Sequence, residues 1–452
     1  MDDEKQKQLL TGPVGPTLLR MAFPMMVGIA AVIFFNIVDT FWVGQLGGDE
    51  LAAMAFTFPV VMVVSNLTIG LSIGATAAIA RAIGEGHKDK VRRLTTHALI
   101  LALLVVIAVC ALGLVTFEPL FRALGASEDI LVLIGDYMIP WYWGVGLLVV
   151  PMLGNGAIRA TGDMKTPAIV MMCAGFVNAG LDPILIFGWG PVPKLGLTGA
   201  AIATIASYGI AMAVMSYILI RREKMITFEV PSWKQLRASW GAILLVGIPA
   251  AGTNLLTPLA AGALTRIVSS HGDTAVAAYG VGTRIESLSM IGVFAMTAAI
   301  TTFVGQNHGA KNGQRVMDTF YFVTKGSAIW GGGIAILLYF LSGPIARVFN
   351  EDPVIIEQTM LYLRIVPLSY IAFGIAMLVA SMFNALNMPL KATGLAALRL
   401  VVLAVPLAWV GSSLFGLVGL FGGIVAANVV MGLVAFVYAR STIGKVRDEL
   451  AA

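Results

Sequence analysis

The sequence predicts an all-α integral membrane protein, with twelve transmembrane helices arranged as two pseudo-symmetric six-helix lobes. Three observations predict it: an apolar composition that runs the length of the chain, twelve apolar runs separated by polar breaks, and motifs that recur 220 to 225 residues apart. Of 452 residues, 58% are hydrophobic and 12% charged, and the mean hydropathy is +0.89. A soluble globular chain carries about a quarter charged residues. A bilayer accounts for the shortfall, because each helix crossing it needs about 20 mostly apolar residues. The 50 glycines permit close helix approach in lipid, and the 22 methionines supply adaptable apolar surface.

Taken in order, the polar opening Met1-Asp-Asp-Glu-Lys-Gln-Lys-Gln carries no cleavable signal pattern, so the first span is expected to remain in the mature protein. Spans are expected at about 16–43, 51–80, 95–117, 130–158, 167–188 and 199–220, then 240–268, 275–305, 318–342, 361–385, 393–413 and 416–439. With the N-terminus inside, the inner segments hold 23 of the 29 Lys and Arg residues. The outer loops hold four (Arg122, Lys194, Arg266 and Arg347), while Arg284 and Arg364 fall within spans. That asymmetry predicts that both termini are cytoplasmic. It also explains the net charge of +5 without a nucleic-acid partner. Cys110 and Cys173 both lie in apolar runs and are expected as buried packing residues, not as a disulfide or a metal site.

The two halves echo each other. Pro24 in span 1 matches Pro249 in span 7, and Gly47-Gly-Asp-Glu-Leu-Ala-Ala matches His271-Gly-Asp-Thr-Ala-Val-Ala-Ala. Gly84-Glu-Gly-His-Lys matches Gly305-Gln-Asn-His-Gly, and Gly196-Leu-Thr-Gly matches Gly416-Leu-Val-Gly. The expected domains are an N-terminal lobe over 1–220, a basic cytoplasmic linker over 221–239 and a C-terminal lobe over 240–452. Six crossings per copy is an even number, so both copies run the same way through the membrane, with a cavity expected between them.

Acidic side chains inside spans cost several kcal/mol to insert and are functional candidates by default. Three stand out: Asp39, Asp182 and Glu286. Asp39 and Asp182 sit near the outer ends of spans 1 and 5, at matched depth, and Thr204 enters span 6 at the same level. Asn36 lies three residues before Asp39 and Asn178 four before Asp182, so each amide shares its carboxylate's helix face. Pro183 frees a backbone carbonyl near Ala179. Such a set could hold Na⁺ through Asp39 and Asp182, or exchange a proton; the plainer alternative is that each aspartate only hydrogen-bonds a neighbouring helix. The second half carries Ala or Val near the corresponding positions, such as Val405, which packing symmetry does not require. Arg284 and Glu286 are two residues apart and point different ways, in structural pairs or into a water-filled cavity. Asn254, Asn384 and Asn387 are cavity or turn candidates, and His87, His97, His271 and His308 are expected at interfaces. No phosphate-binding Gly-x-x-x-x-Gly-Lys loop and no catalytic cluster is present, so the chain is not expected to be an enzyme or to use ATP. An ion gradient, or the substrate's own, must drive it.

Asn36-Ile-Val-Asp-Thr-Phe-Trp-Val-Gly, Asn155-Gly-Ala-Ile-Arg-Ala-Thr-Gly-Asp-Met-Lys-Thr-Pro, Asn178-Ala-Gly-Leu-Asp-Pro-Ile-Leu-Ile-Phe-Gly and Gly196-Leu-Thr-Gly-Ala-Ala-Ile-Ala-Thr together resemble the multidrug and toxic compound extrusion (MATE) family, in the MOP superfamily. The acids in the N-terminal lobe make it most similar to the DinF-like branch. The resemblance implies a V-shaped antiporter that expels amphipathic, often cationic drugs, dyes or toxic metabolites in exchange for H⁺ or Na⁺. It implies a bacterial or archaeal cytoplasmic membrane, no cofactor beyond the coupling ion, and a sufficient monomer. It carries the coupling role onto Asp39, Asn178, Asp182 and Thr204, with Asn155 as an addition and Pro24 as a bending point. The family's other main bacterial branch places acids in spans 7 and 10; here span 7 offers Asn254 and span 10 no carboxylate. A lipid-linked oligosaccharide flippase of the same superfamily is the alternative, but such proteins carry a cluster of cavity arginines.

Overall fold

The structure is a computed structural model that describes residues 3–190 and 192–451, so Met1 and Asp2 of the polar opening lie outside the described residues. Among the described residues every regular element is helical. A short helix, Asp3–Thr11, precedes span 1 (Val14–Gly44). Spans 2 and 3 follow as Gly48–Gly84 and Lys88–Val115. Span 4 is a pair, Glu128–Gly144 and Gly146–Ala160, bent by 54°. Spans 5 and 6 are Lys165–Phe187 and Gly196–Arg222, and span 7 is Trp233–Ser269. Span 8 is again a pair, Asp273–Ser289 and Ile291–Gly309, bent by 43°. Spans 9 and 10 are Gly313–Phe349 and Pro353–Ala385.

Pro389–Ala451 is continuous by hydrogen bonding but holds two crossings. A straight helix of 63 residues would be about 95 Å long. The backbone leaves helical geometry at Phe415 and Gly416, where φ is +61°. Beyond that corner the chain doubles back: a Cβ on Gly411 would strike the carbonyl of Gly419, and one on Gly423 would strike the carbonyl of Leu407. Glycine is required at Gly411 and Gly419 because two backbones touch there. Among the described residues, nine apolar helices and two bent pairs, one of the nine being a hairpin, give the twelve expected crossings.

Burial follows the solvent a bilayer provides. On span 3, Leu94, Ala98, Leu101, Ala102, Val106 and Cys110 are buried at helical spacing. Leu104, Ile107 and Leu112, on the other face, are 51%, 55% and 63% exposed, an outward apolar surface that suits lipid. Cys173 departs from expectation: it is exposed on span 5, whereas Cys110 is buried. Lipid tolerates an apolar thiol on an outer face as readily as a core does.

The compact units are Pro24–Ala251, with the first five residues, and Gln6–Phe23 with Gly252 onward. The division falls within spans 1 and 7, so each unit includes the first part of the other repeat's opening helix. In the first unit, Gly70 and Gly74 of span 2 bring their backbone against Ile243, Gly247 and Ala251 of span 7, leaving no room for a Cβ. This Gly-x-x-x-Gly face replaces the hydrophobic drive that lipid does not supply between helices. The duplication is visible bond by bond. Glu85 N to Arg81 O, Gly86 N to Ile83 O and His87 N to Ala82 O recur, 225 residues on, as Ala310 to Gln306, Lys311 to His308 and Asn312 to Asn307.

Candidate functional site: an aspartate pair in the first unit

Asp39 lies in the penultimate turn of span 1, and Asp182 lies on span 5, directly before Pro183. Asp182 is completely buried and Asp39 is half-buried, and the two side chains meet. Asn178 sits between Asp182 and span 6, donating from Nδ2 to Asp182 Oδ1 at 3.3 Å and to Thr204 Oγ1 at 3.5 Å. Asp182 Oδ2 is buried with no hydrogen-bond donor among the described residues. Four of the expected residues, Asp39, Asn178, Asp182 and Thr204, therefore form one cluster from spans 1, 5 and 6.

Two more residues belong to it. Tyr137 of span 4 is buried, and its hydroxyl reaches Thr204 while facing both carboxylates. Tyr208 stands one turn beyond Thr204, beside Asp39. A lone tyrosine in an apolar run carries no sequence signal of this role; only the packing of spans 4 and 6 on span 5 reveals it.

Other expected residues lie apart. Asn36 is exposed, and its backbone carbonyl accepts from Thr40 Oγ1 at 2.9 Å. Asn155 lies past the bend in span 4, about 27 Å of helical rise beyond Tyr137, with its Oδ1 buried and unbonded among the described residues. The motif that follows Asn155 serves the helix ends. Asp163 Oδ1 accepts from the backbone N–H groups of Lys165 and Thr166 at 3.1 Å each, and Arg222 binds Asp163 Oδ2 at 2.9 Å, tying span 6 to the start of span 5. Pro24 lies inside an unbroken helix.

In the second unit, Glu286 accepts from the Tyr362 hydroxyl at 2.9 Å. Arg284 is exposed. Arg364, which falls within a span, donates to Ser342 at 3.0 Å and lies over the Tyr339 ring. Asn254 has a buried Nδ2 without a partner among the described residues. Asn387 takes a left-handed turn conformation, φ +63°. The histidines are less uniform than expected: His97 is buried and bonds Ser239 at 2.9 Å, while His271 meets Ser412 at 2.7 Å. In the 225-residue register Leu264 replaces Asp39 and is buried. No group of three or more His, Cys, Asp or Glu that could hold a metal ion occurs among the described residues.

Among the described residues, twelve apolar crossings in two repeats, with the Asp39 and Asp182 pair in only the first of them, define a polytopic membrane transporter. The MatE family profile matches residues 24–184 and 249–410, one match in each repeat, and the chain belongs to that family. It is 37% identical over 96% of its length to the FAD transporter of Shewanella oneidensis, of which it covers 96%. The probable multidrug resistance protein NorM of Thermotoga maritima is 29% identical, over 78% of this chain and 75% of that one. Among solved structures, the Vibrio cholerae MATE transporter VcmN in its bent form superposes with a TM-score of 0.91 at 30% identity, covering 98% of this chain and 99% of that one.

Proposed function

We propose that this transporter is an antiporter that exports an amphipathic organic solute in exchange for H⁺ or Na⁺, with Asp39 and Asp182 as the coupling pair. The observation that carries this reading is the cluster itself: two carboxylates on different helices, one fully buried, with a single amide and three hydroxyl-bearing residues around them. Two like charges this close in a low-dielectric site repel, and Asp182 Oδ2 lacks a donor. A proton or a Na⁺ ion between the carboxylates removes both costs. The oxygens of Asn178, Thr204 and Tyr137 would complete a sodium shell or a proton's hydrogen-bond network. Coupling needs only that solute affinity differ between the ion-loaded and ion-free pair, by about 1–3 kcal/mol.

The solute class follows the relatives. The multidrug proteins favour amphipathic drugs and dyes, whereas the higher identity to the FAD transporter favours a flavin dinucleotide, an aromatic anion. A flippase finds less support, since Arg284 is exposed and Arg364 is bound to Ser342. Both repeats lie in one chain, so we expect a working monomer, with the basic loops and both termini in the cytoplasm of a bacterial or archaeal cell.

The test is efflux from proteoliposomes loaded with ethidium or with FAD, under a proton gradient or a sodium gradient applied separately. Efflux driven by one gradient and lost in Asp39→Asn supports the reading and identifies the ion. Efflux under either gradient that survives both Asp39→Asn and Asp182→Asn sinks it.

A further inference from the structure

Span 8 carries a polar stretch that the aspartate pair does not use. Thr283-Arg284-Ile285-Glu286-Ser287 lies in the Asp273–Ser289 part of the span, and Arg284 stands about 17 Å of helical rise from Asp273. The duplicated unit shows that the fold does not need these groups. The helices of spans 2 and 8 start after Gly47 and Gly272, 225 residues apart, and the turns that follow Gly84 and Gly309 match bond by bond in the same register. That register sets Phe58-Pro59-Val60-Val61-Met62 where the polar stretch stands, an apolar run with Pro59 in place of Arg284.

Within that stretch Glu286 is engaged, accepting from Tyr362 at 2.9 Å. Two other arginines in the second unit's spans are also held. Arg364 donates to Ser342 at 3.0 Å, while Arg399 donates to Asn428 at 3.4 Å and lies 4.5 Å over the Phe373 ring. Arg284 differs from both. Its side chain is exposed and makes no hydrogen bond, ion pair or ring contact among the described residues. The helix face around it also differs from a lipid-facing one. Span 9 of the same unit exposes Ile329, Ile336 and Phe340. The face that holds Arg284 runs Ala277, Gly280, Arg284 and Ser287, at steps of three and four residues, with Leu288 at its edge. These side chains are small or polar, and a Cβ on Gly280 would meet nothing within 4 Å. A long helical side chain leans over the turn before its own, so the Arg284 guanidinium has free room above Gly280.

A cation without a partner is costly against hydrocarbon and belongs on a wetted face of a span, where such residues mark solute and ion paths. The planar fork of an arginine takes a phosphate through two parallel hydrogen bonds. We propose, on the reading above that the chain exports an organic solute, that Arg284 holds the anionic group of that solute, a phosphate ester or a diphosphate. The choice falls on the anionic class of solute over the cationic dyes.

Flavin fluorescence of the purified full chain in detergent, titrated with riboflavin, FMN or FAD and with no gradient present, tests it. Riboflavin and FMN differ only in one phosphate. The wild type is expected to bind FMN and FAD at least about tenfold more tightly than riboflavin, and Arg284→Gln to shrink that preference by about tenfold or more. Arg284→Lys, which keeps the charge and loses the fork, is expected to retain part of it. Lys194→Gln, in an exposed loop of the first unit, is expected to change nothing. Ethidium, a planar cation, is expected to bind Arg284→Gln several-fold more tightly than wild type, a gain that misfolding would not produce. Phosphate preference that follows Arg284 while neither a proton nor a sodium gradient drives efflux leaves this assignment standing and removes the antiport reading. Equal binding of the three flavins by the wild type, or no binding of FMN and FAD, overturns the proposal. So does a preference that survives Arg284→Gln, the result expected if Arg284 only anchors the span at the lipid headgroups.

Discussion

The two units share a backbone plan and differ in where they keep charge. The first holds Asp182 fully buried and Asp39 half-buried among apolar helices; the second has the buried Leu264 in place of Asp39, and Val405 near the position matching Asp182. Both copies pack with comparable helix ends and the same turn between spans 2 and 3 or 8 and 9. Packing therefore does not call for the aspartates, and a buried carboxylate without compensation costs several kcal/mol. The lesson is that duplication supplies an internal control: what one copy omits, the fold can do without.

The largest expected effect breaks the charged copy. Asp39→Asn or Asp182→Asn should lower gradient-driven efflux by about 5- to 150-fold, the range that a coupling energy of about 1–3 kcal/mol spans, with normal yield and thermal unfolding. Vesicle efflux measures it, and wild-type rates in both variants would remove the distinction between the units. Adding charge to the other copy comes next. Leu264→Asp should cost about 2.5–3.5 kcal/mol by insertion scales, seen as lost yield and a lower unfolding temperature, and should create no second ion dependence. A stable Leu264→Asp protein with altered ion stoichiometry would show that the second unit is also competent.

Glu286→Gln sharpens the comparison further. This acid is held by Tyr362, so its replacement should lower thermal stability by about 1–3 kcal/mol while the ion requirement for efflux stays as it was. A changed ion requirement would extend coupling to the second unit. The smallest effect is expected for Tyr137→Phe, which removes one hydroxyl from the Thr204 side of the cluster. Its loss, about 0.5–1.5 kcal/mol, should raise the ion concentration for half-maximal efflux by about two- to tenfold.

How much of this was legible depends on which physics wrote the signal. Span number follows from the bilayer's thickness, so apolar runs revealed twelve crossings even where the last two are joined through Phe415 and Gly416. The bends at Val145 and Met290 were not legible, because no proline stands at either break and a run of apolar residues looks the same straight or bent. Asp39, Asp182, Asn178 and Thr204 were readable because charge in lipid is rare and helical spacing puts each amide near its acid. Asn36 and Asn155 show the limit of that reasoning, since spacing along one helix cannot say what another helix brings alongside. Tyr137 was invisible for the same reason.

The division of the compact units at Pro24 and Ala251 has a consequence for biosynthesis. A ribosome delivers the chain in order, but the first unit is not complete until span 7 has been half inserted, more than half-way through synthesis. The segment Gln6–Phe23, among the first to leave the ribosome, belongs to a unit whose remainder begins only at Gly252. Gln6–Phe23 is thus made well before the rest of its unit exists to receive it. A gene cut at the linker would yield two polypeptides, neither of which contains a whole unit, and they could reach the native arrangement only by assembling with each other.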